Sequence, residues 1–467
     1  MDRKWWILLA VGIGTFMSAL DSSVVNIILP IVSQEFGSDV ATIEWVVTIY
    51  LLALSGLLLS FGRLGDLRGH KSIYAFGFVI FVLGSTLCSL SRNEVGLIGF
   101  RAFQAIGAAM LFSNSPAILT KNFPAEQRGQ ALGLQATMTY LGLTVGPSLG
   151  GWLTTQLGWR SVFYINIPVG LAGLLLTLRV VPQDRAEEHA ERFDVAGAVF
   201  FLLGLVMFLL ALNQGNAWGW ASPPILGSGV IAALALGAFV VVEQRVRDPM
   251  LDLQLFRRRL FSASVASAVL NYVCLYSVLF LMPFYLIQGR GFDPARAGLL
   301  LTAQPLVMAI AAPLSGVLSD RIGARLPGTI GMMILALGLF LLSRLSGASS
   351  LIDIVFALGL VGLGIGIFIS PNSSALMGSA PQHRQGIAAG VLATARYVGM
   401  VLGVGFAGAI FTQVQAQSAA SSAAAALFAG VDAGWLAAAG VGIVGVFASA
   451  VRGGGGVSIM DEVATAK

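Results

Sequence analysis

Asp21 and Arg101 are the two residues of this sequence whose side chains bring proton chemistry into an apolar surround. Asp21 stands in Leu20-Asp-Ser-Ser-Val-Val-Asn-Ile-Ile-Leu-Pro30, and Arg101 opens Arg101-Ala-Phe-Gln-Ala-Ile-Gly107. A charged carboxylate at the centre of a membrane helix costs about 2.5 to 3.5 kcal/mol on insertion scales, so it is ordinarily paired, protonated or functional. Pro30 and Val95 bound two apolar runs at the same face of the layout developed below. At 1.5 Å per residue, Asp21 lies about 13 Å and Arg101 about 9 Å beneath that face, a difference an Arg side chain bridges. Burial disfavours the ionised carboxylate and an adjacent guanidinium favours it, so breaking this contact would let Asp21 take up a proton and making it would release the proton. A static buried ion pair is the other reading. No second span interior carries an acid: Glu44, Glu94, Asp353 and Asp432 fall at outer ends. His70, His189 and His383 fall in connections, which removes the usual imidazole proton carrier from the interior.

The elements that must hold such a pair are membrane helices. Of 467 residues, 57% are hydrophobic and only 10% charged, against about a quarter charged in soluble domains. About twenty apolar residues cross the hydrocarbon core, and fourteen such runs follow one another with almost nothing left for a soluble domain. They group as six, two and six: 1–180, then 181–260 with two additional spans between charged connectors, then 261–452, with a Gly-rich flexible tail at 453–467. The first run reads as a span rather than a cleaved signal, because the apolar pattern resumes through Val24 to Pro30. The net charge of +5 follows the bilayer and not nucleic acid. With both termini cytoplasmic, Arg92, Arg160, Arg290, Arg296 and Arg344 fall outside and Arg101 and Arg396 within helices, while all other Lys and Arg face inward. Cys88 and Cys274 lie in apolar helices and form neither a disulfide framework nor a metal cluster.

The chain repeats itself. Ala131-Leu-Gly-Leu-Gln-Ala-Thr-Met-Thr-Tyr-Leu-Gly142 returns as Ala388-Ala-Gly-Val-Leu-Ala-Thr-Ala-Arg-Tyr-Val-Gly399, and at the same offset Gly146 pairs with Gly403 and Gly151 with Gly408. Duplicated helical halves are the build of secondary transporters, which bind cargo between the halves. Two loops repeat as well: Gly62-Arg-Leu-Gly-Asp-Leu-Arg-Gly-His-Lys71 and Gly316-Val-Leu-Ser-Asp-Arg-Ile-Gly-Ala-Arg325. Their glycines permit a tight reversal, and Asp66 or Asp320 can meet a cation or a helix N-terminus as an ionic latch.

These paired loops resemble the signature loop of the major facilitator superfamily. In the first copy Leu67 stands where a basic residue usually follows the Asp, with Arg68 one place later; the second keeps Asp320-Arg321. By resemblance Arg128 is a partner for Asp66. Gly142-Leu-Thr-Val-Gly-Pro-Ser-Leu-Gly-Gly151 resembles the antiporter motif of the same superfamily, associated with exporters, in which Gly142, Gly146, Pro147, Gly150 and Gly151 make a bendable, closely packed helix. The Asp21 segment resembles the motif in which the Asp couples drug export to protons, and the Arg101 run resembles the fourth-span motif of the same proteins. Together they resemble the fourteen-helix drug:proton antiporter branch. The resemblance implies an all-α integral membrane protein with the major facilitator fold, two pseudo-symmetric six-helix bundles plus two extra helices.

Polar or aromatic side chains within apolar spans mark a cargo cavity: Asn26, Gln104, Asn114, Gln135, Tyr140, Asn271, Tyr272, Tyr276, Gln304 and Asn372. Arg396 has no acid within the span interiors of its half; it binds backbone carbonyls or water, or it meets an anionic part of the cargo. The 28 Phe suit a cavity for lipophilic compounds. The expected protein is a monomeric, multi-pass exporter of the bacterial inner membrane, using protons and no cofactor, and acting by alternating access. An exporter of lipid or an endogenous metabolite, and a proton-coupled nutrient importer, are the rival readings. An enzyme is not expected, since no metal-binding or nucleophile motif is present.

Overall fold

A computed structural model describes residues 2–124, 127–183, 194–219, 221–246, 253–380, 385–418 and 422–451. The first half comprises α1 (Arg3–Phe36), α2 (Val40–Ile43), α3 (Trp45–Arg68), α4 (His70–Ser89), α5 (Glu94–Asn122), α6 (Arg128–Leu157), α7 (Ser161–Tyr164) and α8 (Asn166–Val180). Two helices follow, α9 (Val195–Trp218) and α10 (Pro223–Glu243). The second half comprises α11 (Arg259–Pro283), α12 (Pro294–Leu301), α13 (Ala303–Ile322), α14 (Arg325–Leu342), α15 (Leu351–Gly378), α16 (Gln385–Gln417) and α17 (Ala423–Ala450). Short pieces such as α2 and α7 continue the neighbouring long helix, so the elements make fourteen traverses between two faces. We call the face where α1 begins near and the opposite face far.

Thirteen described segments are long and apolar enough to cross a bilayer. α6 makes the remaining traverse although its Gly, Thr and Ser residues leave it less apolar. Its register against α1 proves the point: Gly142 packs on Phe16 and Leu20, Gly146 on Ser23, and Gly150 on Val24 and Ile27. The two helices therefore climb side by side from near to far. Side chains such as Phe76, Leu171, Leu234, Leu314 and Phe447 are exposed on the perimeter, where lipid is their natural solvent.

The internal repeat reappears as packing. As Gly142 and Gly146 receive α1, so Gly399 receives Val269 and Tyr272 of α11, and Gly403 receives Val273 and Tyr276. Ser23 donates to the Gly142 carbonyl at 3.4 Å, and Ser277 donates to the Gly403 carbonyl at 3.3 Å. A side chain on Gly142 would bring its Cβ within 2.6 Å of the Phe16 carbonyl oxygen, and backbone cannot step aside. Gly142→Val is therefore expected to lose about 1 to 3 kcal/mol through overpacking, read as a lowered thermal midpoint in detergent, with Gly399→Val behaving alike.

The extra pair is not detached. α9 lies against both α3 and α16, across the seam between the halves, with Leu202 filling the space beside Gly56. At the far face the halves are shut against each other. Gly151 sits on the Pro294 carbonyl, Gly298 on the Pro147 carbonyl, and Ser148 and Thr302 share a hydrogen bond. Several acids at helix starts are caps: Asp39 accepts from Thr42 N, Asp293 from Arg296 N, and Ser350 with Asp353 forms a capping box.

Candidate functional site

Asp21 is fully buried on α1 and its two carboxylate oxygens take three hydrogen bonds from two other helices. Arg101 on α5 donates Nη1–H to Oδ2 at 2.5 Å, Gln104 one turn later donates to Oδ1 at 3.0 Å, and Asn166 at the start of α8 donates to Oδ1 at 2.8 Å. The two residues that helical rise placed at similar depth are in contact. Ser85 of α4 completes the cluster, accepting from Gln104 and Asn166 while donating to the Phe163 carbonyl. Arg101 has further partners: Nε donates to the Val46 carbonyl at 3.2 Å, Nη1 also donates to Gln104 Oε1 at 2.7 Å, and the guanidinium lies 4.0 Å from the Tyr50 ring centre. Additional hydrogen bonds of this kind are what a buried ion pair requires, since they offset the desolvation of each ion.

Gln104 was expected to line the cavity; it serves the carboxylate instead, because it shares a helix face with Arg101 three residues away. Asn166, Ser85 and Tyr50 were not anticipated. Asn166 and Tyr50 sit inside apolar spans and satisfied the same polar-in-apolar rule that selected the other candidates.

A separate cavity lies between the halves, enclosing about 1070 Å³ of space free of protein atoms, solvent-open parts included. Tyr50, Phe112, Tyr272, Tyr276 and Tyr397 supply its aromatic lining; Ser22, Gln304 and Arg396 supply polar groups. Arg396 lies over the Tyr272 ring at 5.4 Å. Gln304 is 1% exposed and its Oε1 has no hydrogen-bond partner among the described residues. Asp21 and Arg101 do not line this space. Tyr50 stands between, one face on the Arg101 guanidinium and its ring in the cavity wall.

The other cavity candidates fall elsewhere. Asn114 bonds His70 at 2.8 Å and the Phe61 carbonyl at 3.2 Å, clamping the α3–α4 turn to α5 near the near face; His70 is thereby buried rather than in an open connection. Asn26 turns back to the Ser22 carbonyl, Asn271 donates to Met332 Sδ, and Asn372 donates to the Ser264 carbonyl. All three are buried in the bundle, where the amide nitrogen finds an acceptor before it reaches the central space. Gln135 is half-buried in α6 outside the cavity wall. In the loop pair, Gly62 faces Ser113 and Gly316 faces Ser370 at matching places of the repeat, and Arg68 and Arg321 are exposed. The side chains of Asp66, Asp320, Arg128 and Tyr140 lie outside the described residues.

Comparison with known proteins agrees with this architecture. The family model of the Major Facilitator Superfamily matches residues 11–404. The riboflavin transporter RibZ of Clostridioides difficile is 36% identical over 414 residues, covering 88% of this chain and 89% of that protein. The multidrug resistance protein Stp of Mycobacterium tuberculosis is 34% identical over 404 residues, covering 86% and 75%, and the tetracenomycin C resistance and export protein of Streptomyces glaucescens is 32% identical over 408 residues, covering 87% and 76%. In fold, a bacterial homolog of the human lysosomal transporter Spinster, solved inward-facing and unoccupied, superposes with a TM-score of 0.69 at 16% identity, covering 97% of both chains. Match, helix layout and central cavity together assign the chain to the major facilitator superfamily, as a multi-pass membrane transporter of small molecules and not an enzyme.

Proposed function

We propose that the protein is a proton-coupled exporter of lipophilic small molecules, working by alternating access in the bacterial inner membrane with both termini cytoplasmic. The observation that carries this reading is the buried Asp21 carboxylate, held by Arg101, Gln104 and Asn166. A proton on Asp21 removes the charge that fixes Arg101. Arg101 is then free to shift against Tyr50, whose ring forms part of the cavity wall. Occupancy of the cavity and protonation of Asp21 are thereby linked without contact between carboxylate and cargo. Each proton entering down the membrane potential releases about 2.3 kcal/mol per 100 mV.

Export is favoured over import by the relatives that carry resistance and export in their names, and by the closely packed Gly146-Pro147 segment. The riboflavin relative supports a second reading, transport of a planar vitamin-like compound. The two are separated by flux direction: inside-out vesicles given an inward acid load concentrate an exporter's cargo and deplete an importer's. Export of an envelope lipid is the third outcome, recognised when deletion alters envelope lipids and leaves drug tolerance unchanged.

Arg396 is expected to set charge preference. Arg396→Gln removes a full charge from the aromatic wall, and a charge-assisted contact contributes about 1.5 to 3 kcal/mol. Competition assays with anionic and cationic dyes of similar size should show anionic dyes weakened by about tenfold or more, with cationic dyes unchanged or improved.

A further inference from the structure

Glu44, at the start of α3, is turned into the seam between the two halves at the far face. It is 4% exposed, and its Oε2 has no hydrogen-bond partner among the described residues. It points at Gly408 of α16: a Cβ built on that glycine would fall 1.8 Å from Oε2, with the Phe280 ring of α11 at 3.5 Å. The site is thus made by α3 from one half and by α11 and α16 from the other, at the same far face where Gly151, Pro294, Ser148 and Thr302 also close. Among the described residues no cation is paired with this carboxylate. The charged group whose field reaches it is Asp39, which is also acidic. On the packed elements, Arg101 of α5 is held by Asp21, and Glu35 at the end of α1 is held by Arg160 and Trp159. Arg396 of α16 lies twelve residues below Gly408, about 18 Å along the helix.

A carboxylate with an unpartnered oxygen in a buried seam carries a desolvation penalty, which a bound proton removes. Separation of α3 from α16 would wet the group and lift that penalty. We propose that Glu44 is a second proton-binding residue of the transport cycle: its carboxyl takes a proton from the far-side solvent when that face shuts and returns it when the face opens. The proton enters and leaves on the same side, so Glu44 biases the closure toward shut at low pH and does not carry a proton across the membrane. This rests on the alternating-access reading above, and it is independent of Asp21.

The test reads conformation directly. Spin labels at Leu157→Cys and Ile352→Cys, one on each half at the far face and both exposed, report the separation in lipid nanodiscs from about pH 5 to about pH 9. The parent protein is expected to gain a long-distance population as pH rises, and Glu44→Gln, a permanent neutral mimic, to lose that gain and stay at the short distance throughout. Gly408→Ala supplies a second variant: its methyl group displaces the carboxyl, so the long distance should appear at every pH, and combining it with Glu44→Ala should restore the short one. An unchanged pH response in Glu44→Gln overturns the proposal. Loss of the response in Asp21→Asn with its retention in Glu44→Gln assigns it to Asp21 and also overturns the proposal. Loss only in Glu44→Gln, together with intact proton-driven transport in Asp21→Asn, leaves Glu44 standing and removes the function proposed for Asp21.

Discussion

Inside-out vesicles carrying Asp21→Asn will fail to concentrate cargo when energised, while still letting cargo equilibrate down its own gradient. One charge moved per cycle at 100 mV supplies about 2.3 kcal/mol, which sustains a concentration ratio of about 50-fold, since each 1.36 kcal/mol is a factor of ten. In the variant the ratio should fall to unity. The amide keeps the size of the carboxyl and can still accept from Gln104 or Asn166, so the cavity wall is left in place. It loses the capacity to bind and release a proton, and with it the charge that fixes Arg101. The split between lost accumulation and retained equilibration separates coupling from simple loss of binding. Concentrative transport surviving in Asp21→Asn removes Asp21 from the coupling mechanism, whatever carries the proton in its stead.

Replacing Arg101 should do more harm than replacing Asp21. Arg101→Met leaves the ionised carboxylate buried with only the two amide donors, Gln104 Nε2 and Asn166 Nδ2. Breaking a buried pair by removing one partner costs about 3 to 5 kcal/mol, a large share of a typical folding free energy. The expected result is a sharp drop in recoverable, monodisperse protein and no transport. In Asp21→Asn/Arg101→Met the stranded charge is gone, so most of the folded yield should return while concentrative transport does not. Recovery of fold without recovery of function is the signature of a pair retained for switching. If Arg101→Met folds and transports as the parent does, the pair is packing alone.

Both predictions depend on a cluster that was only partly legible in the linear chain. Asp21 and Arg101 stand out because ionised groups are rare in apolar helices, and helical rise puts them at similar depth. Gln104 was visible but its role was not: whether a polar residue three places from Arg101 faces the carboxylate or the cavity depends on how α5 is rotated against α1. Asn166 belongs to a helix that reaches Asp21 only once α8 is packed beside α1 and α4. Glu44 is the sharper case. Its position at the end of an apolar run reads as a solvated terminus, yet the second half of the protein closes over it, and its neighbour Gly408 is more than three hundred residues away in sequence.

The repeat, the six-two-six layout and the membrane setting follow from the order of residues, because hydropathy and small-residue spacing are local properties that each helix carries with it. Rotation of helices about their axes was settled only by assembly. Polar side chains such as Asn26, Asn114, Asn271 and Asn372 look alike along a chain, and close packing in the bundle turned them toward neighbouring helices while Tyr272, Tyr276, Gln304 and Arg396 were left facing the central space. The same assembly kept the Asp21 carboxylate out of the central cavity, with Arg101 and the Tyr50 ring between them. Spacing along a helix limits which residues share a face; contact between halves decides what that face meets.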